Sequence, residues 1–207
     1  MKNGTTKLIA FSGIMGAVIF VVLLLETQVF ASILPISPCF LSIPLAVSLS
    51  IWGDWKKMFI GGTIFGFCSF FMSFMFPSMI VFANPLISIV PRVILGITAY
   101  GTCAGIKRLT AKSKSKFLRN YLPDAVAGIV GAVTNTILVV TGLYIFKFTG
   151  IEDALTLIIS FNALAEIICC AILVPIIAGV IRKYYKTEEK TDEDIDDKSD
   201  GETKGEE

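Results

Sequence analysis

The sequence contains no histidine, and its five cysteines form no Cys-x-x-Cys pair. Zinc and haem sites are built largely from histidine and from cysteines at short, regular spacings. The cysteines of this chain lie mostly inside apolar runs, where a thiol packs as a small hydrophobic group. We therefore expect no metal site, no cofactor and no disulfide framework. A nucleotide-binding loop of the form GxxxxGK[ST] is also missing from the sequence.

Charge is scarce as well. Only 17% of the 207 residues are charged, whereas 54% are hydrophobic, and the mean hydropathy is +0.75. This balance excludes an ordinary soluble domain and is typical of an integral membrane protein. The lipid bilayer is thus the expected surrounding, and no nucleic-acid partner is expected.

Six apolar segments follow one another along the chain. Each is a candidate membrane helix, since a helix of roughly 20 apolar residues crosses a bilayer. The sequence therefore predicts an all-α membrane domain, residues 1–185, with six transmembrane helices. Residues 186–207 are rich in acidic residues and lack aromatic ones, which predicts a disordered tail. The six segments are residues 7–25, 39–53, 57–76, 86–107, 122–147 and 153–182.

Basic residues are absent from three of the connections, 26–38, 77–85 and 148–152. Of the 18 lysines and arginines, 16 lie at the chain ends or in the alternate connections. Positively charged loops stay in the cytoplasm. Both termini are therefore predicted to be cytoplasmic, in agreement with an even number of spans.

Two of the external connections, 26–38 and 77–85, are apolar and contain proline. An apolar loop that faced water would be unfavourable unless it covered something. Two interpretations remain open. The loops lie among the lipid headgroups, or they close over a pocket that faces outward.

A proline and an arginine, Pro91 and Arg92, interrupt the fourth apolar segment. An arginine at this depth costs at least about 2.5–3.5 kcal/mol and is retained where it pairs or binds. Its natural partner is a carboxylate. That carboxylate belongs to Glu166, which would join segments four and six, or to a ligand. In a mixed case, Glu166 holds Arg92 in place while the guanidinium faces a ligand. Polar residues in the outer half of the spans or in the external loops complete the candidate substrate site: Asn84, Ser88, Asn135, Tyr144, Asn162 and Glu166.

Small residues form stripes on three segments. The stripe on segment one consists of Ala10, Gly13 and Ala17. The others are Gly62 and Gly66 on segment three and Ala125, Gly128 and Ala132 on segment five. Such stripes let helix backbones approach closely in lipid. Most are expected to pack within the protein, whereas the first could dock a partner subunit.

Two stretches, NPLISIVPRVILGITAYG (84–101) and GAVTNTILVVTGLYIF (131–146), resemble the substrate-binding (S) components of energy-coupling factor (ECF) transporters, the vitamin importers of prokaryotic cell membranes. The pantothenate-type subgroup is the most similar. The resemblance implies a six-helix, multi-pass subunit that binds one vitamin from outside and is not itself an enzyme. Its partners would be a membrane scaffold (T) subunit and two cytoplasmic ATPase subunits.

The first helix departs from the family, which often carries Ala-x-x-x-Ala there for docking the scaffold. The nearest match in this chain is Gly13-x-x-x-Ala17. The docking surface expected from the resemblance is therefore Ala10, Gly13 and Ala17.

Pantothenate has one carboxylate, one amide and two hydroxyls, which match Arg92 together with the amides and Glu166 of the candidate site. Folate, pyridine-type vitamins and biotin remain alternatives, and biotin also has one carboxylate. A membrane scaffold of similar fold that transports nothing is a further alternative. It would use the same polar residues only for contacts between helices.

Overall fold

The computed structural model describes residues 2–30, 39–53, 55, 58–150 and 161–203, and all its regular structure in these ranges is helical. A 3₁₀-helix, Pro77–Ala83, precedes the broken fourth segment. The α-helices are α1 (Lys2–Phe30), α2 (Ser42–Ile51), α3 (Met58–Met75), α4 (Pro85–Ser88), α5 (Val90–Thr110), α6 (Lys116–Asn120), α7 (Leu122–Ile145) and α8 (Phe161–Thr203).

Five stretches of these helices are long and apolar enough to cross a membrane. The prediction of an all-α, multi-pass membrane protein is thereby confirmed. The five stretches are Leu8–Val29, Met58–Met75, Pro85–Thr110, Phe117–Ile145 and Ala163–Tyr184.

The second apolar segment differs from the others, because its helix α2 has only 10 residues. At 1.5 Å per residue it is about 15 Å long, half the thickness of a hydrocarbon core of about 30 Å. All its residues except Leu45 are buried. It packs against α3, α5, α7 and α8, so the protein rather than lipid surrounds it. Because other helices surround α2, it does not need the length of a helix that faces lipid.

Glycines allow α3 to approach its neighbours closely. A Cβ added at Gly61 would lie 2.0 Å from the carbonyl oxygen of Ala46 in α2, and one at Gly62 would lie 2.1 Å from that of Arg92. On α7, a Cβ at Gly128 would lie 2.6 Å from the Cys170 carbonyl oxygen. The stripes on segments three and five therefore pack within the protein, as the sequence predicts.

One end of the bundle, called the basic end here, consists of residues 107–121 together with Arg182. A partly buried ion pair joins its helices: Arg182 donates from Nη1 to Asp124 Oδ2 at 2.5 Å and from Nη2 to Asp124 Oδ1 at 2.9 Å. Arg182 Nη2 also donates to the Ile51 carbonyl oxygen at 3.0 Å, and Cys103 Sγ lies 3.3 Å from Asp124 Oδ1. These contacts join α2, α5, α7 and α8.

The prediction of a disordered tail from residue 186 is not confirmed, because α8 continues as a helix through Thr203. Glutamate and lysine are frequent in this stretch, and both are favourable in helices. A composition that cannot form a core can therefore still prolong a helix that begins in the membrane domain.

Candidate binding site around Arg92

The end of the bundle opposite the basic end, called the apolar end here, comprises residues 26–30, 39–42 and 77–88. The fourth segment enters from this end as two helices, α4 and α5, with a turn at Ile89 between them. Pro91 lies in the first turn of α5, where its missing N–H costs nothing. The fourth segment is therefore broken at Ile89, close to Pro91. This break places Arg92 in the first turn of α5, close to the apolar end.

The guanidinium of Arg92 is enclosed by protein, with only 2% of the residue exposed. Its Nη1 donates to the carbonyl oxygen of Ile87 at 2.6 Å. Its Cζ lies 4.6 Å from the ring centroid of Phe82 and 5.4 Å from that of Phe65, so two aromatic faces stabilise the cation. Among the described residues, Nε has no hydrogen-bond partner. A buried cation therefore keeps unused donors.

Two carboxylates lie at the N-terminal end of α2. Glu166 Oε1 accepts a hydrogen bond from the Cys39 N–H at 3.0 Å. Glu26 accepts from the Leu41 N–H through Oε1 at 2.5 Å and from the Ser42 hydroxyl through Oε2. Negative charge is favourable at a helix N-terminus, where N–H groups lack partners within the helix. Helices α1 and α8 are thus both joined to the start of α2.

Arg92 and Glu166 attract each other electrostatically, but they do not form an ion pair. Of the two described side chains, Arg92 donates to Ile87 and Glu166 accepts from Cys39. A direct ion pair in the same protein joins Arg182 Nη1 and Asp124 Oδ2, which lie 2.5 Å apart. The geometry therefore does not favour the interpretation in which Glu166 is the partner that retains Arg92.

The remaining predicted substrate-site residues have different surroundings. Asn84 caps α4 by accepting from the Leu86 N–H at 3.0 Å, and the buried Ser88 donates to the Gly66 carbonyl oxygen at 3.1 Å. Asn135 is 7% exposed, and its Oδ1 has no partner among the described residues. Tyr144 is 48% exposed. Asn162 lies in the first turn of α8, and its side chain is outside the described part of the protein.

The depth of Asn135 follows from the antiparallel packing of α5 and α7. Thr98 Oγ1 lies 3.3 Å from Thr134 Oγ1, and a Cβ added at Gly142 would lie 3.2 Å from Ile87 Cγ1. Asn135 follows Thr134 directly and so lies near the level of Thr98 on α5. This level is about one helical turn from Arg92 toward the basic end. The structure thus brings Arg92, Asn135 and Glu166 to the same half of the bundle, and it leaves Asn84 and Ser88 with structural contacts.

The 3₁₀-helix Pro77–Ala83 covers this region. Its Met79 and Phe82 are 2% and 7% exposed, and Phe82 lies over Arg92. This inward packing fits the interpretation of the loop 77–85 as a cover better than that of a segment among headgroups. Most of the other loop, residues 31–38, lies outside the described residues.

Three neighbouring side chains, Glu26 at this end and Phe65 and Phe82 beside Arg92, were not among the predicted site residues. Glu26 could have been found from the sequence, because it is the first charged residue after an apolar run that begins at residue 8. The predicted segment ended at residue 25, whereas α1 continues through Phe30. Nothing in the sequence marks Phe65 or Phe82 among the 16 phenylalanines.

The predicted docking surface lies on the outside of the described protein. Ala10, Gly13 and Ala17 are all exposed, and a Cβ added at Gly13 would meet no atom within 4 Å. Helix α1 has the lowest buried share of the five span-length stretches, 11%. Its surface is thus open to lipid or to another subunit, and docking there stays a prediction.

No protein-family model matches the sequence. The chain is 26% identical over 191 residues to "Pantothenic acid transporter PanT" of Lactococcus lactis subsp. cremoris (strain MG1363), a match that covers 80% of this chain and 91% of that protein. The resemblance of residues 84–101 and 131–146 to pantothenate-type transport proteins is thus supported over most of the chain. The chain is therefore a multi-pass cell-membrane protein, similar to a transporter and not to an enzyme.

Proposed function

We propose that this chain is the substrate-binding (S) component of an ECF-type importer and that it binds pantothenate from the external side. The similarity to a pantothenic acid transporter supports the class of substrate. One observation carries the assignment of the site: Arg92 is 2% exposed and its Nε has no partner among the described residues. A buried charge of this kind is costly unless something pairs with it.

The proposed orientation places both termini and the basic end in the cytoplasm. It rests on the 16 basic residues at the chain ends and in alternate connections. Helix α2 supplies the sixth crossing. Its first residues contact Glu26 near the end of α1, and its last carbonyl, that of Ile51, contacts Arg182 at the basic end. Arg92 then lies in the external half of the membrane.

The free edge of Arg92 suits a carboxylate. Because Nη1 is occupied by Ile87, the edge formed by Nε and Nη2 remains for two parallel hydrogen bonds. Asn135 offers an amide oxygen about one turn deeper, which could accept from the amide or a hydroxyl of pantothenate. The site therefore matches a small molecule with a carboxylate at one end and polar groups further along. Biotin shares the carboxylate, so it is the second ligand to test.

Transport would require partners. In this proposal the exposed face of α1 with Ala10, Gly13 and Ala17 docks the membrane scaffold (T) subunit, and two cytoplasmic ATPase subunits supply the energy. Delivery to the cytoplasm follows ATP hydrolysis on those subunits.

The test is calorimetric titration of the purified chain with pantothenate and with pantothenyl alcohol, in which a hydroxymethyl group replaces the carboxylate. Arg92→Lys keeps the charge and loses the planar two-pronged geometry, so it should weaken pantothenate binding. Arg92→Ala should weaken binding further, with a loss of about 2–4 kcal/mol in the binding free energy. Arg108→Ala, which removes an exposed arginine at the basic end, should bind like the wild type.

Pantothenyl alcohol shows whether a variant has lost a contact with the carboxylate or has lost its structure in general. It should bind the wild type more weakly than pantothenate does, and Arg92→Ala should change its affinity little. An equal loss for acid and alcohol would show that Arg92 does not meet the carboxylate. A wild-type chain that binds neither pantothenate nor biotin would favour the non-transporting scaffold.

A further inference from the structure

The basic end contains a cavity of about 680 Å³ between α5, α6, α7 and α8. It lies at the opposite end of the bundle from Arg92, so the proposed vitamin site does not account for it. The residues that line it are Lys107, Arg119, Asn120, Tyr121, Asp124, Pro175, Ile176, Gly179, Val180, Arg182 and Lys183.

Positive charge dominates the lining, with four basic side chains and one carboxylate. The carboxylate of Asp124 is already bound on both oxygens by Arg182, at 2.5 and 2.9 Å. It therefore neutralises Arg182, whereas the charges of Lys107 and Arg119 remain for an anion. Such a cavity attracts an anion, because several positive charges share one partly enclosed volume.

One wall of the cavity is apolar and belongs to α8. It consists of Pro175, Ile176 and Val180, of which Ile176 is 54% and Val180 64% exposed. The apolar wall is therefore continuous with the outer surface of a span-length helix, which faces lipid in a membrane. The cavity thus has a charged part for a headgroup and an apolar part for hydrocarbon.

The depth of the cavity in the membrane is indicated by its aromatic residue. Tyr121 lines it and is 50% exposed, and its ring stacks on that of Phe117 with 5.7 Å between centroids. Exposed tyrosines concentrate where the hydrocarbon meets water. The basic side chains around it then lie at the level of the lipid phosphates.

We propose that this cavity binds an anionic phospholipid of the leaflet that the basic end faces. The phosphodiester lies between Lys107 and Arg119, and an acyl chain follows Ile176 and Val180 on α8. Basic pockets between membrane helices on this side are suited to acidic headgroups. A free phosphate shares the charged contacts but has no group for the apolar wall.

The test uses the full chain in nanodiscs made of equal parts phosphatidylglycerol and phosphatidylcholine, with bound lipids counted by native mass spectrometry. The wild type should retain one phosphatidylglycerol in preference to phosphatidylcholine. Lys107→Gln with Arg119→Gln should reduce that retention, by about fivefold for each charge removed. Arg108→Gln with Lys112→Gln removes two charges from the same connection outside the cavity lining, and it should leave retention unchanged.

A second variant fills the cavity without changing its charge. A Cβ added at Gly179 would meet no atom within 4 Å, so Gly179→Leu should fold and reduce the retained phosphatidylglycerol severalfold. Gly101→Leu is the matched control, because Gly101 is equally open and lies outside the cavity lining. The proposal is overturned if the wild type shows no preference, if test and control variants lose lipid equally, or if millimolar inorganic phosphate displaces the lipid.

Discussion

Arg92 and Glu166 lie in the same half of the protein, yet each has a separate partner, the carbonyl of Ile87 and the N–H of Cys39. A buried ion pair can often be replaced by apolar side chains without loss of stability, whereas removal of one partner alone leaves a charge uncompensated. A variant that removes both buried charges can therefore distinguish a structural role of Arg92 from a role in binding.

We predict that the double variant Arg92→Met with Glu166→Met folds and does not bind pantothenate. The buried charges of both residues are gone, so the helices can still pack, but no group remains for the ligand carboxylate. Size-exclusion chromatography reports folding and calorimetric titration reports binding. Wild-type affinity in this variant would mean that Arg92 serves only to hold Glu166.

Glu26 has a structural role that its position near the end of an apolar run does not show. It accepts from the Leu41 N–H and from the Ser42 hydroxyl, and it is 5% exposed. We predict that Glu26→Leu destabilises the protein by about 1–3 kcal/mol, because two donors lose their acceptor. Glu26→Gln, which retains an acceptor oxygen, should cost less.

The measurement is the midpoint temperature in a size-exclusion thermostability assay. Gln28→Leu is the control, since Gln28 is exposed on the same helix. Equal midpoints for Glu26→Leu and Gln28→Leu would contradict a structural role for Glu26.

At the scale of single helices, α1 and α2 differ most clearly in how much of each is buried. Nine of the ten residues of α2 are buried, whereas only 11% of the apolar stretch of α1 is buried. A helix that is apolar on all sides belongs inside a large core or in lipid. The sequence alone does not distinguish these two positions, because both require apolar residues.

The exposed face of α1 leads to a prediction about assembly. Gly13→Leu should leave pantothenate binding intact and weaken co-purification with the scaffold and ATPase subunits, because a bulky side chain separates two closely packed backbones. Gly101→Leu on α5 is the control, as both glycines have open space around them. Normal co-purification of Gly13→Leu would place the docking face elsewhere.

At the scale of the whole molecule, the distribution of basic residues predicts the orientation in the membrane. A cysteine introduced as Lys112→Cys should react with a membrane-impermeant thiol reagent only after the cells are opened. Thr149→Cys, in a connection at the other end, should react in intact cells. The wild-type chain gives the background from its own cysteines, four of which are buried. Labelling of Lys112→Cys in intact cells would contradict the proposed topology.

The long helices could be predicted from the sequence because a run of about 20 apolar residues has few other stable environments. Five of the six predicted segments contain or overlap a span-length helix. The predicted ends were less accurate. The predicted segment one ends at residue 25, whereas α1 ends at Phe30, because Glu26 is a buried residue of the helix and not part of a loop.

The candidate site could be predicted only in part. A lone arginine inside an apolar run is visible in the sequence, because its burial is costly wherever the helix packs. Its neighbours are not visible, since Phe65 and Phe82 come from α3 and the 3₁₀-helix and resemble the other phenylalanines of the chain. Asn84 and Ser88 share its end of the bundle but are occupied by backbone contacts.

The sequence by itself determined the environment of this protein and the presence of a costly arginine, because hydropathy and charge act through composition and position along the chain. Only the tertiary structure decided which groups meet. Helix α2 is enclosed, both Glu26 and Glu166 lie at its N-terminus, and Asp124 rather than a ligand neutralises Arg182. Contacts between residues far apart in the chain depend on how the helices pack and rotate. Apolar segments of similar composition do not specify this packing.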